Sequence, residues 1–219
     1  MEKRNLRKKA LVDDLRNSRK VSDLRFDEFY PLEIRKLSQT HWTPVAVALR
    51  ATELMATNRK TRVLDVGSGC GKFCTVAALS GHGQFFGVEQ RPHLVDIARK
   101  VAQELGATQA SFIQGNMVDQ DWSFYDAIYL FNPFYENVME SIRIDDTVSH
   151  SEENYRSYIR TVQTKLQDAQ AGTKLLTYHG FGGEMPLGYL RVRKEPIGTS
   201  YLEVWVKLDL PHDVDWKLR

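Results

Sequence analysis

The chain has 219 residues, 42% hydrophobic and 26% charged, with a formal net charge of +2. That length and balance suit one domain with a sizeable core, and so small a charge gives no global pull toward a polyanion. Two cysteines, Cys70 and Cys74, are too few for a disulfide framework or a four-ligand zinc site, and no apolar run is long enough to span a bilayer.

Residues 3–25 are rich in Lys and Arg, with Asp13, Asp14 and Asp23 interspersed. Leu6, Ala10, Leu11 and Leu15 mark a weak helical stripe. Charges stand there without an apolar core behind them, so the start does not read as a secretory signal, and a cytoplasmic setting is the default. We read residues 1–42 as a partly basic helical extension. It is either a helix docked on the domain or an arm for an acidic substrate, and the interspersed acids favour docking. Phe26, Phe29, Tyr30, Leu32, Ile34 and Leu37 form an aromatic-rich connector interrupted by Pro31. Thr43-Pro44 reads as a cap and first helical position, before a helix with Val45, Ala48, Leu49, Thr52 and Met55 on one face.

Strands and helices then alternate. Residues 61–66 form the first strand, and Gly67-Ser68-Gly69-Cys70-Gly71 a turn whose glycines admit close backbone approach. A helix spans 72–80 and a strand 84–88, ending at Glu89. An acid about twenty residues beyond such a turn is placed to take both ribose hydroxyls of a nucleoside. A helix over 91–105 stops at Gly106, and strands follow at 110–114 and 126–131. Ser149 or Ser151 opens a helix whose Tyr155, Ile159, Val162 and Leu166 keep helical spacing, continuing to Gly172. Residues 174–178 form the fifth strand. Residues 189–194 and 201–208 alternate in pattern and are joined by Pro196-Ile197-Gly198 as an antiparallel pair.

The turn lacks the spacing of the dinucleotide fingerprint: Lys72 stands where the third glycine belongs, and Asp65, two residues before Gly67, would repel a pyrophosphate. Asp65 through Gly71 resembles the first motif of the class I S-adenosylmethionine-dependent methyltransferases, acid-x-Gly-x-Gly-x-Gly. Phe85 through Gln90 resembles the second, Phe112 through Met117 the third, and Tyr125 through Tyr135 the fourth strand with its active-site loop. The resemblance runs from about Thr43 to Leu208. It implies an α/β fold: a Rossmann-like, doubly wound, seven-stranded and mostly parallel sheet ending in an antiparallel hairpin, over a domain at 43–219. The loop 180–188 is too rich in glycine for the helix usual at that point, a departure that reads as a truncated last crossover.

The cofactor implied is S-adenosyl-L-methionine. Asp65, Gly67, Ser68, Gly69 and Gly71 would cradle it, Asp65 helping to hold its ammonium group. Glu89 would bind the ribose, Gln90 pack on adenine, Asn116 meet the adenine amino group with the Met117 backbone beside it, and Trp42 form a lid with His41. No metal is called for.

Asn132-Pro133-Phe134-Tyr135 resembles the Asn/Asp-Pro-Pro-Tyr/Phe loop of methyltransferases acting on amino nitrogens, with Phe134 in place of the second proline; there is a looser likeness to the lysine methyltransferases of the Dot1 type. The resemblance implies Asn132 as acceptor of hydrogen bonds from the target amine and Tyr135 as its stacking ring, both catalytic. The expected activity is methyl transfer to a nitrogen, with protein slightly favoured as acceptor. A small molecule or a nucleic-acid base is the alternative, as is an inactive cofactor-binding protein. An oxygen acceptor would want a base, and His179 is best placed. The acids Glu136, Glu140, Asp145, Asp146, Glu152 and Glu153 read as a solvated surface or as a lure for a basic peptide. No membrane partner is expected, nucleic acid stays open as a partner, and the oligomeric state is not fixed.

Overall fold

The structure is a computed structural model that describes residues 2–209; the last ten residues of the domain expected over 43–219 lie outside the described residues. Seven helices and seven strands alternate for most of the chain: α1 (Glu2–Arg16), α2 (Asp23–Asp27), α3 (Leu32–His41), α4 (Val45–Met55), β1 (Arg62–Val66), α5 (Lys72–Ser80), β2 (Gln84–Glu89), α6 (Pro92–Leu105), β3 (Ala110–Gln114), β4 (Ala127–Phe131), α7 (Glu152–Gln167), β5 (Lys174–Tyr178), β6 (Tyr189–Ile197) and β7 (Ser200–Lys207). The strands form one sheet in the order β3-β2-β1-β4-β5-β7-β6. β1 to β5 are parallel and the last hairpin is antiparallel, as the sequence implied.

Strand alternation divides the interior in two. Val63, Phe85, Ala127, Tyr129, Leu176, Leu202 and Val204 pack with α4, α5 and α6 into the larger cluster. Leu64, Val66, Val88, Ile128, Leu130 and Leu175 face the other way and pack with Val162 and Leu166 of α7. No helix joins β5 to β6; residues 179–188 cross as a loop against α7. The helix ends follow local chemistry. Gly106 closes α6 with φ +72°, and Ser151 caps α7 by accepting from the Asn154 N–H.

Several expectations are corrected. Thr43 does not cap α4: its hydroxyl pairs with the Tyr129 hydroxyl at 3.2 Å, and Asp23 Oδ1 accepts from the Val45 N–H at 2.8 Å instead. The N-terminal helix ends at Arg16, and Leu6 is exposed while Leu11 and Leu15 are fully buried. The aromatic connector contains a helix, α3, beginning directly after Pro31. α7 stops at Gln167, short of Gly172. Pro196 and Ile197 belong to β6, so Gly198 and Thr199 make the turn. Proline is tolerated there because β6 is the edge strand.

Candidate functional site

The carboxyl ends of β1, β2 and β4 open into one cleft, as ligand sites do in open α/β sheets. Its floor is Val66 at the end of β1 and Gly67 and Gly69 from the turn that follows, with Glu89 at the end of β2, Gln90 and Arg91 just beyond it, and Gly115 and Met117 after β3. Thr40, His41 and Trp42, at the end of α3, close one side. The segment Phe131–Asn137 and the residues Ile142, Ile144, Val148 and His150 close the other.

The turn is shaped by its glycines. Gly69 has φ +53°, and a Cβ there would stand 2.3 Å from the Trp42 ring. Gly67 has φ +71°, and a Cβ would stand 3.0 Å from that of Pro133. The turn is therefore pressed between the Trp42 side and the loop after β4, with backbone facing the cleft. Trp42 is held by its ring N–H, which donates to the Ile34 carbonyl at 2.9 Å. Gly71 serves packing: a Cβ would meet Phe112 at 2.5 Å and Ala98 at 2.7 Å. Ser68 is buried below the turn, against Gly87.

Glu89 is the buried acid of the cleft. Oε2 accepts from the Gly69 N–H at 3.2 Å and Oε1 from the Arg91 N–H at 2.9 Å. Burial raises its pKa, while those N–H groups and the Arg91 charge oppose the rise. Each oxygen keeps a free lone pair for a hydroxyl. Asp65 lies elsewhere. Its carboxylate is buried on the α5 side, takes the Cys74 thiol at 3.6 Å and does not line the cleft. Burial pushes its pKa up to about 7.

Gln90 and Met117 line one end of the cleft, and Asn116 stands behind them without lining it. Asn116 Nδ2 donates to the Tyr158 hydroxyl at 3.1 Å and to Gln90 Oε1 at 3.3 Å, while its Oδ1 caps the following turn through Val118. Tyr158, from α7, stacks on Phe134 with ring centroids 5.1 Å apart. Phe134 is thereby buried in the second core with an edge on the cleft, and Asn132, with φ +38°, and Tyr135 line the cleft beside it. The Asn132 N–H donates to the Gly180 carbonyl at 3.1 Å, tying the loop to the end of β5. His179 does not line the cleft; it packs edge-on to Tyr178.

Sequence reasoning missed three residues. Arg91, 4% exposed, reaches Glu136 at 2.9 Å, Asp145 at 3.0 Å and Glu89 at 3.6 Å. His150 lies within 3.7 Å of Glu136. Tyr158 could have been found, because it falls three residues after Tyr155 and four before Val162 on the same helical face. Glu136 and Asp145 are thus partners of Arg91 and not a free acidic surface.

A family model described as a methyltransferase domain matches residues 57–171, more than half of the chain. The chain belongs to this methyltransferase family. Its fold is that of the class I S-adenosylmethionine-dependent enzymes, and S-adenosylmethionine is its methyl donor. Solved structures agree on the fold. An RNA methyltransferase from Salinibacter ruber in complex with S-adenosyl-L-homocysteine is 23% identical, with TM-score 0.55 over 79% of this chain and 98% of that one. TrmN from Thermus thermophilus is 18% identical, with TM-score 0.58 over 84% of this chain and 53% of that one, so the methyltransferase spans about half of TrmN. Precorrin-6y C5,15-methyltransferase from Geobacter metallireducens is 10% identical, with TM-score 0.52 over 78% and 92%. At these identities the likeness is one of fold. No curated protein matches the sequence. Among the described residues of the methyltransferase, no helix is long and apolar enough to cross a membrane.

The residues present fit the cofactor. Gly67 and Gly69 present bare backbone to the cleft, where a Cβ at either would strike Pro133 or Trp42, and Glu89 offers two carboxylate oxygens beside them. Glu89 would take the ribose. Gln90, Met117, Phe134 and Tyr158 would surround adenine, with Asn116 bracing Gln90 and Tyr158 from behind, and the turn and Trp42 would hold the methionine end.

Proposed function

We propose that the methyltransferase moves a methyl group to a nitrogen, and that the nitrogen belongs to a nucleic-acid base. One observation carries the nitrogen reading. Asn132 lines the cleft in a left-handed conformation, with Pro133 against Gly67, so a carboxamide stands beside the turn that receives the donor. Base over protein rests on charge: Glu136, which lines the cleft wall, and Asp145 behind it are engaged by Arg91 and do not present a site for a basic peptide.

When bound, S-adenosylmethionine supplies an electron-poor methyl carbon. The protein's task is alignment, which can supply roughly 7–11 kcal/mol. Asn132 Oδ1 accepts an N–H of the acceptor and turns the nitrogen lone pair toward the methyl carbon. Tyr135 offers a ring beside it for a planar base. His41 also lines the cleft, and burial lowers its pKa, which leaves a neutral imidazole able to take the proton that the nitrogen releases.

The test is transfer of labelled methyl from S-adenosylmethionine into whole-cell extract, followed by nuclease or protease digestion. Label released by nuclease supports the reading, whereas label released only by protease restores the protein acceptor. Asn132→Ala should lower kcat about a hundredfold with cofactor affinity little changed; unchanged kcat removes its assigned role.

A further inference from the structure

We propose that the α7-side face of the β6–β7 hairpin is a platform for single-stranded nucleic acid, leading an extended strand to the cleft. The choice of ligand rests on the nucleic-acid reading above, but the surface stands on its own observations. The first is an open face. The sheet runs β4-β5-β7-β6, and α7 covers its inner strands, whereas the crossover after β5 is a loop against Tyr155 and Ile159 of α7. The last turn of α7 reaches the far end of the hairpin, where the Tyr189 hydroxyl donates to the Leu166 carbonyl at 3.0 Å and Lys207 Nζ to the Gln167 carbonyl at 2.9 Å, while Tyr201 and the side chains of Arg191 and Lys194 stay exposed. Alternation puts Tyr201, Glu203 and Trp205 of β7 on this face, together with Tyr189, Arg191 and Lys194 across the ladder. Leu202 and Val204 point the other way, into the larger core.

The second observation is composition. Two cations of the open part lie on rings, Arg191 5.3 Å above the centroid of the half-buried Trp205 and Lys194 4.5 Å above Tyr201, whereas Tyr189 and Lys207 are engaged by the end of α7. Glu203 is the acid among them, bonded to Lys194 at 2.8 Å and to Arg191 at 3.5 Å, which holds both heads in place and leaves the face net positive. Tyr201 is 51% exposed. Rings and guanidinium planes stack on unpaired bases of any sequence, while the ammonium heads meet phosphates. A duplex hides the faces of its bases and gains only the charge.

The third observation is position. Leu202 pairs with Tyr178, and Tyr178 with Phe131, the residue before Asn132. Tyr201 and Lys194 therefore lie at the cleft end of the sheet, with β7 two strand spacings, about 10 Å, from β4. The Tyr178 hydroxyl is bonded to Ile197 and Thr199 at the hairpin turn, and Gly180 to Asn132, so platform and loop are joined through the end of β5.

The test uses the full chain with a fluorescein-labelled 20-nucleotide RNA of mixed sequence, single-stranded or annealed to its complement, and needs no methyl transfer. We expect tighter binding of the single strand, and at least tenfold weaker binding by Tyr201→Ala combined with Arg191→Glu and Lys194→Glu. Tyr201→Ala alone keeps the charges and should weaken the single strand severalfold while leaving the duplex unchanged. Unaltered melting temperatures show that these exposed changes leave the fold intact. Equal binding of single strand and duplex, or binding by the triple variant at wild-type strength, overturns the platform. RNA methylation with no loss of binding in the variant overturns the platform and leaves the acceptor reading standing. RNA binding lost in the variant, with no label entering RNA, supports the platform and removes the acceptor reading.

Discussion

Glu89 and Arg91 are joined twice: Oε1 of the glutamate accepts the backbone N–H of the arginine at 2.9 Å, and the guanidinium returns to the same oxygen at 3.6 Å. The rest of that guanidinium reaches Glu136 and Asp145 beyond β4. The acid placed for ribose and the wall that closes the cleft are thus set by one buried side chain. Arg91→Met leaves three carboxylates around an apolar stem. We expect a stability loss of roughly 3 kcal/mol, since removing one partner of a buried pair strands the other. Calorimetry should also show at least tenfold weaker S-adenosylhomocysteine binding, with faster tryptic cleavage at Arg143. Arg91→Lys keeps the charge without the fork and should fall between. Wild-type affinity in Arg91→Met would dissociate the wall from the ribose acid.

Asp65 gives a pH signature. An aspartate in the unfolded chain titrates near 4, whereas burial raises Asp65 to about 7. Between those values the folded protein holds a proton that the unfolded chain has lost. Stability therefore falls as pH rises from about 4 to about 7, and the loss is complete above that window. By linkage the effect is at most about 4 kcal/mol. Asp65→Asn should melt close to wild type at pH 4 and clearly higher at pH 8. Parallel melting curves for the two proteins across that range would show that Asp65 is ionised as folded.

Gly67 and Gly106 make a controlled pair. Both have φ near +70°, and a Cβ costs roughly 1–2 kcal/mol in that conformation. At Gly106 the added carbon meets nothing within 4 Å, whereas at Gly67 it meets Pro133 at 3.0 Å. Gly106→Ala should lose stability alone. Gly67→Ala should lose similar stability and, by displacing Asn132 through Pro133, at least tenfold in kcat. Equal kcat in the two variants would show that the loop does not depend on the turn.

The sheet was legible because its signals are local. Alternating apolar residues, glycines at turns and the motif spacing are enough to place β1 to β5 and the sense of the hairpin. Long-range pairing was hidden. Thr43 has the chemistry of a cap, but the Tyr129 hydroxyl, 86 residues on, takes it. The segment 135–150 has no period of its own, and its acids read as solvated because Arg91 lies 45 and 54 residues earlier. Asp65 and Gly71 belong to the first motif by sequence, yet their places are set by Cys74, Phe112 and Ala98 beneath the turn.

Lys72 tests whether residues 1–42 are an appendage. It opens α5, is 2% exposed, and its ammonium meets Asp27 and Asp23 at 2.7 Å each and Ser38 Oγ at 3.0 Å. All three partners lie in the N-terminal segment. The same segment sends the Tyr30 hydroxyl to the Cys70 carbonyl at 3.2 Å, within the turn itself. The segment therefore supports the cradle from behind. Lys72→Met strands the Asp27 carboxylate, which is itself buried, and should cost about 3–5 kcal/mol. Adding Asp27→Leu removes the stranded charge and should recover most of that loss, because an apolar pair of similar size is well tolerated where an ion pair was buried. If the segment were only docked, Lys72→Met would leave S-adenosylhomocysteine affinity intact at temperatures where the variant is folded. We expect weaker binding there, recovered together with stability in the double variant.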